Sequence, residues 1–500
     1  MINIDLSIPQ WLIKHVEGLT PECEEIYLVG GAIRNLIRET EIDDFDFVVK
    51  TKPNNAARYI ANQCNGDFYI LDRERQTARA IIEDGERLVK LDFALINGGS
   101  IEKDLAMRDF TINAMAIAIP FDNRIIDPTG GIDDLTENTL RPCSATSFID
   151  DPVRTIRYIR FLFEMGMQAT AEVEDFVKQA VPLLARVSPE RQRDALLDVI
   201  KVANAKAAFN EMRKLGLISR LFPGAEKLPD VELSLPHTYN GWDHTMHVIQ
   251  YSQQFLMELD LAPSRSEIHP RITEAIHRLA RYHDKLHSFF LDDISSGSSK
   301  YQLLILSAFF HDLAKGIVEY EFKEERKKFP GHARRGAQIV KDWARKYSFS
   351  NKEIFYLESI VRTHMKVSRP EMIASDTKNV SIFRFFRRAG DAGILTAILH
   401  LADVLTTYEN ALDDARWDEA LMAVDGIFNA YFFHYEELID PPLILNGKEV
   451  MELFNLKPSR KVGELLALLQ EAQVSGVVSD RQQGQKFLKE LVDKQEGQGL

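Results

Sequence analysis

Asp44 and Asp46 stand two residues apart in Ile-Asp-Asp-Phe-Asp-Phe-Val-Val. On a β-strand that spacing turns both carboxylates to one side and sends Phe45, Phe47 and Val49 to a core. Apposed carboxylates repel unless a cation lies between them. Magnesium suits that place, because it seeks oxygen ligands and also binds substrate phosphates. Two such ions can activate an attacking hydroxyl and steady a departing pyrophosphate. Alone, the pair reads as readily as a solvated hairpin edge. Gly30-Gly31, sixteen residues or fewer upstream, shifts the balance. Glycines let backbone amides approach a triphosphate, the helix start that follows favours anions, and Arg34 lies one turn in. Asp92, in the alternating run Leu-Val-Lys-Leu-Asp-Phe-Ala, is either a third carboxylate of the set or a structural acid at a strand end.

Two further blocks carry cations. Arg108-Asp109-Phe-Thr-Ile-Asn113 offers a guanidinium and hydrogen-bonding side chains able to clamp phosphate or ribose. In Asp151-Pro-Val-Arg154-Thr-Ile-Arg157-Tyr-Ile-Arg160 arginines recur every third residue on one helix face. A carboxylate acceptor beside a guanidinium donor imitates a base-pairing edge, so Asp151 with Arg154 could select C or A without a template. The plainer alternative is an arginine stripe packed on acids. Farther along, His244, His311-Asp312 and Asp403 combine nitrogen and oxygen ligands of the kind a divalent metal takes, and His332 and His364 allow a second one.

The elements that must position these groups change character along the chain. Runs at 26–29, 45–49, 68–71, 79–82 and 88–93 read as strands, with helices from Ala32 and Asn54. Beyond Ser147 the periodicity is helical, with a break at 230–245 and a boundary at Pro441-Pro442. The expected class is α+β, with a mixed-sheet head and an all-helical body. Four domains are expected: a head at 1–145, a helical neck at 146–230, a histidine-rich helical domain at 231–440, and a small helical tail at 441–500.

The net charge of −14 argues against a nucleic-acid binder over the whole surface but not against local basic tracks. Such tracks occur at Arg154/Arg157/Arg160, Arg186/Arg191/Arg193 and Arg384/Arg387/Arg388. Three widely spaced cysteines fit neither a disulfide framework nor a zinc pattern. With no membrane-length apolar run and no basic-then-apolar leader in residues 1–15, the expectation is a cytoplasmic protein without a membrane partner.

The order and wording of these blocks, with Asp127-Pro-Thr-Gly-Gly-Ile-Asp-Asp-Leu and Ser188-Pro-Glu-Arg191, resemble the class II tRNA nucleotidyltransferase and bacterial poly(A) polymerase family over residues 24–225. The histidines resemble those of HD phosphohydrolase domains. The first resemblance implies a polymerase-β-like head that uses Mg2+ and adds C, A or both to the tRNA 3′ end from CTP and ATP. Asp44 and Asp46, with Asp92, would be catalytic. Gly30, Gly31, Arg34, Arg108, Asp109, Asn113, Asp151, Arg154 and Arg157 would bind nucleotide. The second implies His244, His311, Asp312 and Asp403 as ligands of a further divalent metal. A poly(A) polymerase and a metal-dependent phosphohydrolase acting on nucleotides or RNA ends are the alternatives. Asn35 stands where the family usually has aspartate, Met107 where it often has arginine, and Ser459 where it usually has glycine. The short stretch between Asp92 and Asp104 leans toward a CC-adding type.

Overall fold

Strand β2 (Asp44–Val49), which bears the aspartate pair, sits near the middle of a seven-stranded mixed sheet. The other strands are β1 (Ile26–Val29), β3 (Asp67–Asp72), β4 (Thr77–Asp84), β5 (Arg87–Leu95), β6 (Ala116–Ile119) and β7 (Ile125–Ile126). Their order is β3-β4-β5-β2-β1-β6-β7. The β2–β5 pair is parallel and the others are antiparallel. The computed structural model describes residues 8 and 10–497, apart from 20–22, 43, 74–75, 86, 122–123, 264–266, 293, 295–296 and 325.

In β2 the side chains alternate as the pleat requires: Asp44 and Asp46 are open, Phe45 and Phe47 buried. Phe47 stacks on Phe93 of β5 at 5.1 Å beneath the acids. On the acid side, Val29, Val48 and Ala116 pack with Ile101 and Leu105 of the helix Ile101–Ala106, so that face is dry at one end and polar at the other. The five expected strands are present; β1 matches its run and the other four are slightly longer than theirs. Strand β6 was not expected. Ala-Ile-Ala-Ile is too short and too uniformly apolar to distinguish a strand from a buried helix segment, and only its pairing with β1 decides.

The chain divides into two compact units, residues 1–195 with 215–217, and 196–214 with 218–500. The second unit is helical, with one exception to the expected pattern: Glu321–Lys323 (β8) and Arg326–Lys328 (β9) form an antiparallel hairpin. Its short charged runs carry no strand signal. The helix Lys300–Phe310 is buried on every face and is started by a capping box between Ser299 and Gln302. The helices Gly447–Phe454, Arg460–Val474 and Arg481–Gly497 close on a core of their own around Val450, Leu465, Leu469 and Leu488. No single helix among the described residues is long and apolar enough to cross a membrane.

Candidate functional site

The first unit contains a cavity of about 810 Å³ lined by Gly30, Gly31, Arg34, Asp44, Asp46, Asp92, Arg108, Asp109, Asn113, Asp151, Arg154 and Arg157. It thus collects every head and neck residue named above as catalytic or nucleotide-binding. Sheet register explains the acids: Asp46 pairs directly with Asp92 across the parallel β2–β5 ladder, and Asp44 lies two residues back on the same face. Although Asp46 is open to the cavity, the protein crowded around it displaces much of its hydration, and this, with the charges of Asp92 and Asp44, pushes its carboxyl above its usual value against Arg108 and Arg157. Three carboxylates on one face are a donor set that a hard divalent cation fits, although Lys90 stands 3.4 Å from Asp44. Asp92 is also gripped by Arg79 of β4, whose Nε and Nη2 donate to its two oxygens at 2.7 and 2.8 Å. Each oxygen keeps a further lone pair, so Asp92 can hold Arg79 and still face the cavity.

Gly30 has φ +77°. A Cβ there would lie 3.1 Å from Asp46 Oδ2 and 3.2 Å from Arg108 Nη1, so the glycine lets the acid and the base meet beside the helix start at Gly31.

The cations are positioned by buried acids and by one ring. Arg108 donates to Asp104 at 3.1 and 3.2 Å, and Asp104 also accepts from the Asn97 backbone N–H. Arg157 pairs with Asp109 at 2.7 Å, and Arg34 donates to Asn113 at 2.6 Å and to Asn35. Arg34, Arg157 and Arg160 all lie over the Phe161 ring at 5.4–5.9 Å. Burial lowers the Arg34 pKa to about 10, which still leaves it charged at neutral pH.

The expected Asp151–Arg154 edge takes a different form. The Asp151 carboxylate meets Arg191 at 2.6 Å, while Arg154 donates to the carbonyls of Met107, Arg108 and Ser147. The helix starts at Arg154 rather than at Asp151, which is extended (φ −140°), so the two side chains do not share a helical turn. Both still line the cavity.

In the second unit His244, His311 and Asp312 converge, and Asp312, His332 and His364 converge beside them, so Asp312 belongs to both groups. His244 lies on the helix Gly241–Glu258, His311 ends Lys300–Phe310, His332 begins His332–Lys346, and His364 follows Asn351–Thr363. Asp403, on Ala392–Tyr408, reaches His244 at 3.0 Å. Asp312 Oδ2 is 3.3 Å from His311 Nε2, and Oδ1 is 3.4 Å from His332 Nε2 and 3.7 Å from His364 Nε2.

The Nδ1 atoms of His311, His332 and His364 contact the carbonyls of Ala308, Phe329 and Val361 at 2.7–2.8 Å. A carbonyl only accepts, so Nδ1 carries the proton and Nε2 presents its lone pair inward. Burial holds His364 down at about 3 and His332 below its usual value, so both are neutral ligands at pH 7. Asp312 is held well below the carboxylate range by Lys315 and His311 against the opposing effect of burial. His244 Nδ1 and Asp312 Oδ1 are buried without a hydrogen-bond partner. Such a set fits a divalent metal. A cavity of about 290 Å³ opens beside it, lined by His237, Lys315, Arg326, Lys327, His400 and Tyr408 among others.

Sequence reading missed Arg79, Asp104 and His237, and it placed Arg191 in a basic track without its partner Asp151. Arg79 left one trace, a cation between the buried Ala78 and Ala80 of an alternating run, but its partner appears only through register with β5.

Comparison with known proteins finds three matching segments. Residues 26–141 match the poly A polymerase head domain, 166–228 the probable RNA and SrmB-binding site of polymerase A, and 241–408 the HD domain. A CC-adding tRNA nucleotidyltransferase of Geobacter sulfurreducens is 28% identical over 464 residues, spanning 92% of this chain and 91% of the relative. An A-adding tRNA nucleotidyltransferase of Deinococcus radiodurans is 27% identical, over 94% and 96%. Among solved structures, the Thermotoga maritima CCA-adding enzyme complexed with tRNA shares the fold at TM-score 0.52 and 19% identity, over 98% and 97% of the two chains. A CCA-adding enzyme complexed with ATP does so at 0.56 and 19%, over 97% and 94%.

Proposed function

We propose that this chain, which belongs to the tRNA nucleotidyltransferase and poly(A) polymerase family, adds C or A from CTP or ATP to the 3′ end of tRNA without a template. The observation that carries the reading is the meeting of Asp44, Asp46 and Asp92 with the Gly30-Gly31 helix start and with Arg34, Arg108 and Arg157 around one cavity. In this reading Asp44 and Asp46 hold Mg2+, with Asp92 beside them. The bound ions would supply a more acidic RNA 3′-hydroxyl and charge neutralisation for pyrophosphate. Gly31 and the amides at its helix start receive triphosphate oxygens. Arg108 and Arg34 clamp the triphosphate and ribose, each aimed by its own acceptor, Asp104 or Asn113.

Base choice falls to the cavity wall formed by Asp151, Arg154 and Arg157. Arg191 braces Asp151, and the carbonyls brace Arg154, so the wall is preset before nucleotide enters. The four-part division of labour, with head, selecting neck, histidine domain and RNA-binding tail at 1–145, 146–230, 231–440 and 441–500, belongs to the same proposal. The short 92–104 stretch favours a CC-adding type. A poly(A) polymerase is disfavoured by the acidic total charge.

Incubation with tRNA ending before CCA and labelled CTP or ATP tests this. Incorporation is expected from the wild type and lost in Asp44→Ala. Full CCA synthesis would overturn the restricted type, and an active Asp44→Ala would overturn the mechanism.

A second reading concerns the histidine centre alone. The doubly shared Asp312 and the inward-facing Nε2 atoms favour a metal-dependent phosphohydrolase there, independent of the head. His311→Ala should abolish that hydrolysis and spare nucleotide incorporation.

A further inference from the structure

The cluster Arg384/Arg387/Arg388, conspicuous in an acidic sequence, is not used by either centre. The structure gives part of it a setting. Ser381, Arg384, Phe385 and Arg388 lie along one face of the helix Lys378–Ala389. That face lines a cleft of about 290 Å³ whose other wall brings Thr363, Lys366 and Arg369. Four cations thus border one cleft, with Glu371 the acid in the lining.

Arg384 is spoken for, since its Nε donates to Glu471 of the helix Arg460–Val474 at 2.9 Å. Among the described residues Lys366, Arg369 and Arg388 have no carboxylate within ion-pair distance. Burial and the charges of Arg369 and Arg388 lower the Lys366 pKa, and no acid offsets them. Three like charges held together raise the energy of the folded protein unless an anion meets them.

We propose that this cleft seats the phosphodiester backbone of the RNA substrate. The inference rests on the nucleotidyl-transfer reading for the identity of the RNA, though not for its chemistry. A polyanion is repelled by most of a surface carrying net −14, so it must enter where cations are concentrated and unneutralised. Arg369 and Arg388 are exposed, which suits a strand laid across the rim. A free nucleotide already has the far larger head cavity, with its acids and helix start. The hydroxyl of Ser381 adds a donor of the type that accompanies phosphate contacts, whereas that of Thr363 already donates to the Ser359 carbonyl.

The test is the double variant Arg369→Ala/Arg388→Ala of the full chain. Both side chains are exposed, and an unchanged melting curve confirms that the fold is kept. Binding of tRNA lacking its CCA end is measured by fluorescence anisotropy across a salt series, and KM and kcat are measured for tRNA, CTP and ATP. The expected result is tRNA affinity about 10-fold weaker and a log-log salt slope shallower by about 1.4 to 1.8, the loss of two phosphate contacts. The KM for tRNA rises with it, while kcat at saturating tRNA and the KM values for CTP and ATP hold. An unchanged salt slope and tRNA KM would overturn the proposal. So would a raised nucleotide KM with tRNA binding intact, which would mark a nucleotide site instead. If the wild type adds nothing to any tRNA, the transfer reading fails, yet the binding slope still decides whether the cleft holds RNA backbone.

Discussion

The head cavity and the histidine centre both gather acids for cations, but they solve the electrostatic problem in opposite ways. The head puts its carboxylates on adjacent strands beside an open cavity of about 810 Å³, met only from the protein side by Arg79 on Asp92 and Lys90 near Asp44. The repulsion that remains is relieved when a cation enters the cavity. The histidine centre is largely buried and preset. Its six candidate ligands come from five helical segments spread over residues 244–403, and three of its rings are fixed by backbone carbonyls. The first arrangement suits a substrate that carries its own charge and metal, the second a resident metal.

The sharpest way to break that comparison is to remove one centre and watch the other. Asp46→Ala should lower nucleotide incorporation by about 10³-fold, the equivalent of the several kcal/mol that metal-borne charge stabilisation provides. It should leave the metal content of the second unit unchanged. EDTA followed by Mg2+ alone should restore incorporation without restoring any hydrolysis that depends on a softer metal. Loss of metal from the second unit on Asp46→Ala would refute the independence of the two centres.

Metal content then sharpens the account of the histidine centre. Because Asp312 faces both pairs of histidines, Asp312→Ala should empty the whole centre, while His332→Ala should remove only part of the metal retained after dialysis. Elemental analysis of the two variants distinguishes a shared site from a single one. Equal metal content in His332→Ala and wild type would reduce the His332–His364 pair to a structural contact.

How much of this was legible follows from the same contrast. Asp44 and Asp46 could be placed on one face because strand alternation is a local rule, and Gly30 could be placed beside a helix start for the same reason. The partner of Asp92 could not, since Arg79 meets it through strand register rather than through spacing. The histidines were recognisable as a set by type, but the bridging position of Asp312 depends on where four helices end. What holds the base-reading edge was not legible for a related reason. Arg154 opens its helix while Asp151 lies outside it, and Arg191 from another element pairs with Asp151.

A smaller effect is expected at Gly30→Ala. A residue with a Cβ at φ +77° is strained, and that Cβ would press on Asp46 and Arg108. Incorporation should fall by about 10- to 100-fold through misplacement of the acid, with little change in melting temperature. Wild-type activity in this variant would show that the acid and the arginine need not meet at the glycine.

The smallest effect lies in the frame of the histidine centre. Glu358, on the helix that precedes His364, pairs with Lys341 at 2.7 Å on the helix that begins with His332, and also with Arg362 of its own helix. Burial alone would raise the Glu358 pKa, but hydrogen bonds from Lys341 and Arg362 outweigh it and hold the carboxyl below 4.5. A carboxyl lowered in the folded state stabilises the protein above its unfolded pKa, and the benefit is lost as pH falls through the folded value. Glu358→Gln should therefore cost about 1 kcal/mol at pH 7, read as a lower melting temperature, and wild type and variant should converge well below pH 4.5. A gap that persists under acid would mean that the side chain contributes through packing between the two helices rather than through its charge.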